Sequence, residues 1–288
     1  MSLAIVYDGS IRDNGTPYLF RYAFREVLGE EIAWYTPAGK IPAGHEFYFR
    51  IDDGRDDLDC EIPGRWGYYA TDTHLGPGPR FEKARRADVV WCAQKPAAEA
   101  LRAEGVNASW LPLACSPAHH PTALEIAERE DKPIPAKEYD VAFVGHLQPP
   151  DQTDRIAFLD AMFKAFPNFR FESGRFHADM ASVYHRSRIG VNHAVRDDLN
   201  MRAFELASAG VTQLLDDRMV GLRDLGFEPW VHYIPYDSPL SAVRNAERML
   251  REDESRQLMA AEARQLVRSA HTYAHRVRAM LTDAGCES

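Results

Sequence analysis

Cysteine is scarce in this sequence, and the few cysteines present show no paired spacing. They lie far apart and form no CxxC pair; they are Cys60, Cys92, Cys115 and Cys286. Zinc knuckles need such pairs, and small disulfide-stabilised folds need a denser set of cysteines. The sequence therefore predicts reduced thiols and neither kind of framework.

Long apolar runs and an excess of basic residues are also missing. No stretch approaches the ~18 consecutive apolar residues of a membrane helix, and the N-terminal segment lacks the pattern of a signal peptide. Lys and Arg number 34 against 43 Asp and Glu, so the net charge is -9. Proteins that follow a nucleic-acid backbone need the opposite balance. We therefore expect a cytoplasmic protein with no membrane span and no nucleic-acid partner.

What the chain does contain is a regular alternation of short β-type runs and helical patterns, which is typical of parallel sheets with crossover helices. A length of 288 residues with 45% hydrophobic content suffices for two such domains. Strands are predicted at 3–8, 31–35, 46–51, 66–70, 88–93 and 108–113, then at 139–145, 169–173, 189–193, 211–215 and 231–236. Helices are predicted at 17–28, 78–86, 96–104, 151–165, 177–187, 200–209, 239–251 and 254–270.

A segment rich in proline and charge separates the two series. Residues 121–138 have the composition of a linker. We therefore predict an α/β protein with two Rossmann-like domains, 1–120 and 139–288, whose sheets face each other across a ligand-binding cleft. A long amphipathic C-terminal helix is expected to pack on the second domain and could cross back to the first. A single large α/β sheet is the alternative.

The most unusual stretch is NMRAFELASAGVTQLLDD, residues 200–217. Asn200 is placed to cap a helix whose free amides and positive dipole end would suit a phosphate. Arg202 opposes that dipole and needs a negative partner. Glu205, one turn on, could simply pair with Arg202 on a solvated face. Its apolar neighbours instead indicate a closely packed helix, from which the carboxylate would project into the cleft and bind a sugar diol.

The pattern N-x-R-x-F-E-x-x-A-x-G, followed by LLDD and later by HTYAHR at 271–276, resembles the C-terminal half of group 1 glycosyltransferases of the spore-maturation-protein type. The resemblance covers roughly residues 138–282. In the first half, ADVVWCAQ and WLPLACSPAHH are similar to the end of that family's N-terminal domain. The resemblance implies the two-domain GT-B architecture and sugar transfer from a UDP-, GDP- or TDP-sugar without a bound metal.

Roles follow from the resemblance at the positions that match. Glu205 matches the glutamate that holds the donor ribose. Asn200 and Arg202 match positions that line the donor phosphates and sugar. The extended Arg and Lys pair that is typical of classical group 1 enzymes is not obvious in this sequence.

The end of the first strand of the second half is a further candidate donor position. Gly145 occupies the place where the family has a glycine turn close to the diphosphate. His146 and Arg155 follow, and each could offer a positive partner to the diphosphate, whose charge a metal would otherwise neutralise. Together with the three residues on the 200–209 helix, these form the predicted donor site.

Catalytic candidates come from the first half, where ATDTHLGPGP, residues 70–79, follows a predicted strand. Asp72 or His74 would emerge there and could act as a general base on an acceptor hydroxyl. The alternative is that Asp72 caps the following turn and His74 lies on the surface.

Several acidic pairs invite a metal-binding interpretation, because oxygen-rich sites suit Mg²⁺ or Mn²⁺. However, the segment 51–59, which includes Asp52 and Asp53, has the composition of a solvated turn. His119 and His120 are likewise interpreted as surface histidines of the linker. No bound metal is therefore expected.

These observations predict a metal-independent glycosyltransferase that binds a nucleotide sugar in its second domain and an acceptor in its first. The alternative is a non-catalytic nucleotide-sugar-binding or scaffold protein of the same fold, since 288 residues is short for this architecture. A transferase acting on nucleic-acid bases is disfavoured by the acidic net charge.

Overall fold

The computed structural model describes residues 2–9, 15–54, 59–147 and 153–286. The chain divides into two compact units, Met1–Leu113 with Tyr273–Ser288, and Ala114–Thr272. Each unit contains one parallel β-sheet, so the alternative of a single large sheet is wrong. Within the described ranges, no helix combines the length and apolarity needed to cross a membrane.

The first unit is built on six parallel strands connected by helices. Its strands are β1 (Leu3–Val6), β2 (Ala33–Tyr35), β3 (Phe47–Ile51), β4 (Trp66–Ala70), β5 (Val89–Cys92) and β6 (Ala108–Trp110). Its first helices are α1 (Thr16–Leu28), α2 (Pro77–Ala84) and α3 (Lys95–Ala103). The strand order is β2-β1-β3-β4-β5-β6. All residues of β1, β3 and β5 are buried, as expected where helices cover both faces of a parallel sheet.

The second unit contains a five-stranded parallel sheet in the order β11-β10-β9-β7-β8. Its strands are β7 (Tyr139–Val144), β8 (Phe169–Glu172), β9 (Ser187–Asn192), β10 (Gln213–Asp216) and β11 (Ile234–Tyr236). Its helices are α4 (Ala123–Glu130), α5 (Thr153–Ala165), α6 (His177–His185), α7 (Arg202–Ser208), α8 (Pro239–Leu250) and α9 (Asp253–Ala270). Side chains of α5 and α8 pack on β7, β9 and β10 to form the core of this unit.

Helix α4 lies in the segment that the sequence analysis interpreted as a linker. A capping box starts this helix: Thr122 Oγ1 accepts from the Glu125 amide at 3.1 Å, and the Glu125 carboxylate accepts from the Thr122 amide at 2.7 Å. The capping-box pattern of Thr122 and Glu125 was not recognised in the sequence, because prolines and charged residues dominate the composition of this segment.

The predicted C-terminal helix is two helices, because the chain leaves the helical path at His271. The His271 carbonyl accepts from the Cys115 amide at 3.0 Å, and Thr272 forms a parallel bridge with Cys115. Helix α10 (Tyr273–Ala284) then follows, as part of the first unit. There it packs on α1, where the Tyr273 ring lies 5.0 Å from that of Phe20.

The first strand of each sheet lies between the two strands that follow it in the sequence. Strand β1 lies between β2 and β3, and β7 lies between β8 and β9. Loops leave in opposite directions at such a switch point, so a crevice opens at the carboxyl ends of the two strands. We therefore expect ligands to bind in the crevices at β1/β3 and β7/β9.

Helix α7 is buried along its length, as its small and apolar sequence predicts. Gly190 of β9 allows this close packing. A Cβ atom at position 190 would lie 2.9 Å from Leu206 Cδ2 and 3.0 Å from Tyr184 Cδ1. The absence of a side chain there lets α6 and α7 approach the sheet, and so fixes the position of Glu205 on α7.

Candidate functional site

Arg155, in the first turn of α5, bridges the switch point of the second sheet. Its Nη2 donates to the His193 carbonyl after β9 at 2.9 Å, and its Nη1 donates to the His146 carbonyl after β7 at 3.3 Å. Burial lowers the pKa of Arg155, yet a guanidinium stays protonated in proteins. A fixed positive charge therefore spans the crevice.

A depression of about 240 Å³ opens beside this arginine. Its guanidinium groups come from Arg155, Arg196 and Arg218. Arg218 is also held by Asp216, whose carboxylate accepts from Nε at 2.9 Å and from Nη2 at 2.7 Å. The remaining lining residues are Thr153, Asp154, His193, Ala194, Val195 and Asp197. Counting Asp216, three arginines adjoin three carboxylates, so the depression suits an anion through its cluster of planar guanidinium donors and not through an excess of positive charge.

The loop after β9 carries backbone strain beside this depression. Arg196 and Asp197 have φ values of +53° and +57°, in the left-handed region. Non-glycine residues in that region cost about 1 kcal/mol or more each, and such strain clusters at functional sites. The Asp197 carbonyl accepts from the Val220 amide at 2.9 Å, which helps to hold the loop in place.

Gly145 and His146 lie directly after β7, at the same edge. The Gly145 amide donates to the Glu172 carbonyl at 3.0 Å, and a Cβ at position 145 would lie 2.8 Å from the Phe143 ring. His146 is exposed, with Nδ1 3.0 Å from Ser173 Oγ. Its backbone carbonyl accepts from Arg155 Nη1.

Asn200 organises the start of α7. Its Oδ1 accepts from the Arg202 amide at 3.1 Å and from Asn192 Nδ2 at 2.9 Å, while its Nδ2 donates back to Asn192 Oδ1 at 3.1 Å. The helix begins at Arg202 with Met201 as its N-cap, so Asn200 lies one residue before the cap. Its side chain nevertheless satisfies one of the first amides, as the sequence predicts.

Glu205 is a buried carboxylate whose two oxygens face different partners. Only 6% of its side chain is exposed, with Oε2 3.1 Å from Arg202 Nε and Oε1 3.2 Å from His120 Nε2. Burial opposes ionisation, but the Arg202 charge and the His120 contact outweigh it, and the pKa of Glu205 is about 2. The carboxylate therefore lies within the second unit as part of a buried ion pair, whereas the sequence predicts that it projects into the cleft.

His120 is the neighbour of Glu205 that sequence reasoning missed. The prediction of a surface histidine is wrong here, because His120 is fully buried. Its Nδ1 accepts from the Ser116 amide at 3.2 Å, so the proton of the neutral ring lies on Nε2, facing Glu205. Its carbonyl accepts from Ser208 Oγ at 3.1 Å, which ties it to α7. The apolar run WLPLAC, residues 110–115, precedes His120 and could have indicated that this segment is buried.

His193 is a second buried histidine, and it forms part of the wall of the arginine-lined depression. It stacks on Phe158 with ring centroids 4.5 Å apart, and its Nδ1 lies 3.0 Å from the Tyr236 hydroxyl. That hydroxyl donates to the Asn192 carbonyl at 2.8 Å. Burial lowers the pKa of His193 from 6.5 to about 4, so the ring is neutral at neutral pH.

This pKa predicts how His193 affects stability. As the pH falls below 6.5, the unfolded chain binds a proton that the folded chain does not bind until about pH 4. The free energy of unfolding should therefore fall over this window, with His193 contributing up to about 3 kcal/mol. Urea denaturation at pH 7.5 and 4.5 should show a smaller fall in a His193→Gln variant. An equally large fall in the variant would contradict this assignment.

The switch point of the first sheet carries carboxylates that are paired with buried arginines. Asp53 Oδ2 accepts from the Asp8 amide at 2.7 Å and from Arg50 Nη1 at 3.0 Å. Asp52 Oδ2 accepts from Arg80 Nε at 2.7 Å. The predicted solvated turn is therefore wrong for Asp52 and Asp53, which are 3% and 7% exposed because each has a buried cationic partner.

Asp72 and His74 follow β4 at this same edge. Asp72 is exposed with a φ of +51°, and His74 is half-buried. Between them, Thr73 donates to Gln94 Oε1 from its amide at 3.2 Å and from its hydroxyl at 2.9 Å, which anchors the loop. A small depression of about 50 Å³ brings Asp72 together with other carboxylates and does not include His74. Its lining residues are Asp8, Gly15, Thr16, Pro17, Asp52, Asp53, Gly54, Thr71 and Asp72.

The arrangement of the acidic, histidine and cysteine side chains bears on the expectation that no metal is bound. Among the described side chains, no group of three or more His, Cys, Asp or Glu is arranged to hold a metal ion. The acidic stretch 57–59 lies partly outside the described residues. His119, His120 and His177 do cluster, with ring centroids 5.0 and 5.6 Å from His177.

A family model described as glycosyl transferase-like matches residues 132–282 of the chain. No curated protein matches the chain. The family match covers the whole second sheet, the arginine-lined depression and the α7 residues, and it supports the group 1 glycosyltransferase resemblance. The spore-maturation-protein subtype stays a prediction.

Solved structures match both units together. A sucrose-phosphate synthase from Thermosynechococcus elongatus has a TM-score of 0.66 at 11% identity, covering 98% of each chain. Anabaena HepE in complex with UDP and glucose has a TM-score of 0.65 at 10% identity, covering 98% of this chain and 99% of that one. T4 phage BGT in complex with UDP and Mn²⁺ has a TM-score of 0.63 at 10% identity, covering 99% of each. At such identities the likeness establishes the fold, two Rossmann-like domains of the GT-B type.

Proposed function

Because the chain belongs to the glycosyl transferase-like family, we propose that it transfers a sugar from a nucleotide-sugar donor to an acceptor hydroxyl. The observation that carries this proposal is the arginine-lined depression at the switch point of the second sheet. Nucleotides bind at that position in α/β folds, and HepE and BGT were solved with UDP. UDP is therefore the first donor nucleotide to test, with GDP and TDP beside it.

The three arginines would bind the donor diphosphate. Arg155, Arg196 and Arg218 offer planar donor groups that match phosphate oxygens. The charge on the diphosphate increases as the sugar departs, so fixed cations lower the barrier to transfer. They also supply charge that a divalent metal would otherwise provide, and we propose that transfer needs no bound metal. Gly145 and His146 would lie at the edge of the same crevice.

Glu205 would hold the donor ribose, with Asn200 and Arg202 beside it. The carboxylate is ionised at neutral pH, since its pKa is about 2. A carboxylate has about four acceptor positions, so the contacts with Arg202 and His120 leave capacity for a hydroxyl. The Arg202 side chain is 20% exposed, and the buried pair reaches solvent at that end.

The first unit would bind the acceptor and provide the general base. Asp72 is the stronger candidate, because it is exposed, strained and lines a depression, whereas His74 does not line it. Carboxylates repel phosphates and accept hydrogen bonds from hydroxyl groups, so the acceptor should be a hydroxyl-bearing molecule without a phosphate at the reacting end. A binding protein without turnover, the alternative, would bind donor but neither transfer nor hydrolyse the sugar.

An Arg196→Ala variant tests the donor assignment. Arg196 is exposed, so its loss should leave the fold intact. Loss of one charge-assisted contact should raise the Kd for UDP about tenfold. Isothermal calorimetry with UDP, GDP and TDP measures this, and neither EDTA nor added Mn²⁺ should change the Kd of the wild type.

An Arg244→Ala variant is the matched control, because Arg244 is an exposed arginine on α8 outside the depression. It should bind the nucleotide as tightly as the wild type does. If no nucleoside diphosphate binds the wild-type protein, the donor proposal fails. Binding that depends on Mn²⁺ would overturn its metal-independent form.

A further inference from the structure

A second cavity, of about 340 Å³, lies at the opposite edge of the second sheet, where the strands begin. One wall is formed by residues at the starts of three strands. Lys137 precedes β7, Arg188 is the second residue of β9, and Thr212 directly precedes β10. A six-residue strand such as β7 is about 20 Å long, so this cavity is well separated from the arginine-lined depression.

The other wall is one face of α9. The lining positions recur three or four residues apart, which places their side chains on the same side of the helix. The helix residues are Asp253, Arg256, Gln257, Ala260, Ala261 and Arg264. Two alanines in the middle leave space, and an arginine lies on each side of them. The result is a concave site between two walls that both carry cations.

Positive charge in this cavity is poorly balanced, although the whole chain has a net charge of -9. The one lining carboxylate, Asp253, is paired with Arg256. Arg188 lies 3.9 Å from Asp140, and Lys137 Nζ donates to a backbone carbonyl at 2.9 Å. Arg264 forms no ion pair within the part of the chain that the structure describes.

Neighbouring cations in this cavity also lower one another's pKa values. Lys137 is exposed as a residue, but partial desolvation of its ammonium group and the Arg256 charge lower its pKa. Burial and the Arg188 charge lower the pKa of Arg256. A bound anion would relieve this repulsion, because each cation would gain an opposite charge.

We infer that this cavity binds a small phosphorylated ligand, of sugar-phosphate or diphosphate size, at a site separate from the donor site. The concave shape favours a small molecule over an extended polymer. Lys137, Arg188 and Arg264 would contact the phosphate oxygens, and Thr212 and Gln257 could contact uncharged parts of the ligand. The inference does not depend on the proposed transfer reaction.

Calorimetry of the full chain with inorganic pyrophosphate tests this site. The donor depression could also bind pyrophosphate, so the titration is run on an Arg196→Ala background. In that background, adding Arg188→Glu and Arg264→Glu should weaken binding at least about tenfold. Both arginines are exposed, so the variants should fold, which thermal unfolding checks. Arg251→Glu, an exposed change outside the cavity, should bind as the background does.

Protection from an amine-reactive label gives a second readout that needs no variant. Pyrophosphate should slow labelling of Lys137 and leave the exposed Lys132 unaffected. No binding in the Arg196→Ala background, equal loss in Arg251→Glu, or equal protection of both lysines would overturn the inference.

Discussion

Replacing Glu205 by Ala is expected to lower the free energy of unfolding by about 3–5 kcal/mol. The change leaves the Arg202 guanidinium, which is 20% exposed, without its counter-charge, and leaves His120 Nε2 without its carboxylate neighbour. The loss of a buried partner costs far more than the loss of a surface ion pair. Urea denaturation followed by far-ultraviolet circular dichroism measures the change.

A double variant separates the structural role of Glu205 from binding. Combining Arg202→Met with Glu205→Gln removes both charges, so most of the lost stability should return. The stable double variant can then be titrated with UDP and with 2′-deoxy-UDP. The wild type should prefer UDP about tenfold if the carboxylate holds the ribose hydroxyls.

The double variant should lose that preference, because no carboxylate remains to accept from the 2′-hydroxyl. If it keeps the full preference for UDP, Glu205 serves the fold alone and the ribose assignment fails. A loss of stability below about 1 kcal/mol in Glu205→Ala would contradict the buried ion pair itself.

The layout of strands and helices was predictable because its signals are local. Apolar runs gave the strands of both sheets, and helical spacing gave α1 to α3 and α5 to α9, with boundaries within a few residues. The contact of Arg202 with Glu205 was also predictable, since residues three apart on a helix are neighbours. The break at His271 was not, because it depends on hydrogen bonding to the distant residue Cys115.

The parts of the site that escaped prediction involve partners far apart in the sequence. His120 contacts Glu205 only after the second unit has folded, and Asp52 meets Arg80 only when α2 packs at the edge of the first sheet. Composition alone indicated a surface linker and a solvated turn at these positions. Likewise Arg196 and Arg218 join Arg155 because loops after different parallel strands meet at one edge.

An Asp52→Ala change should destabilise the first unit by about 3–5 kcal/mol, because it removes the buried carboxylate that accepts from the Arg80 guanidinium at 2.7 Å. The Asp52 carboxylate also accepts from the Gly54 amide at 2.8 Å and the Thr71 amide at 3.3 Å, so its loss frees two loops. Four of the five tryptophans lie in this unit, and tryptophan fluorescence during denaturation reports mainly on it. They are Trp34, Trp66, Trp91 and Trp110.

The matched control is Asp59→Ala, which breaks an aspartate–arginine pair of the same kind at the surface. Asp59 and Arg86 are 58% and 50% exposed, so this change should cost less than about 1 kcal/mol. Equal losses in the two variants would show that burial does not set the strength of the Asp52 pair. Since the proposed donor residues belong to the second unit, UDP binding should survive Asp52→Ala at temperatures where the second unit stays folded. The proposed sugar transfer should be lost, because the loop that carries Asp72 belongs to the first unit.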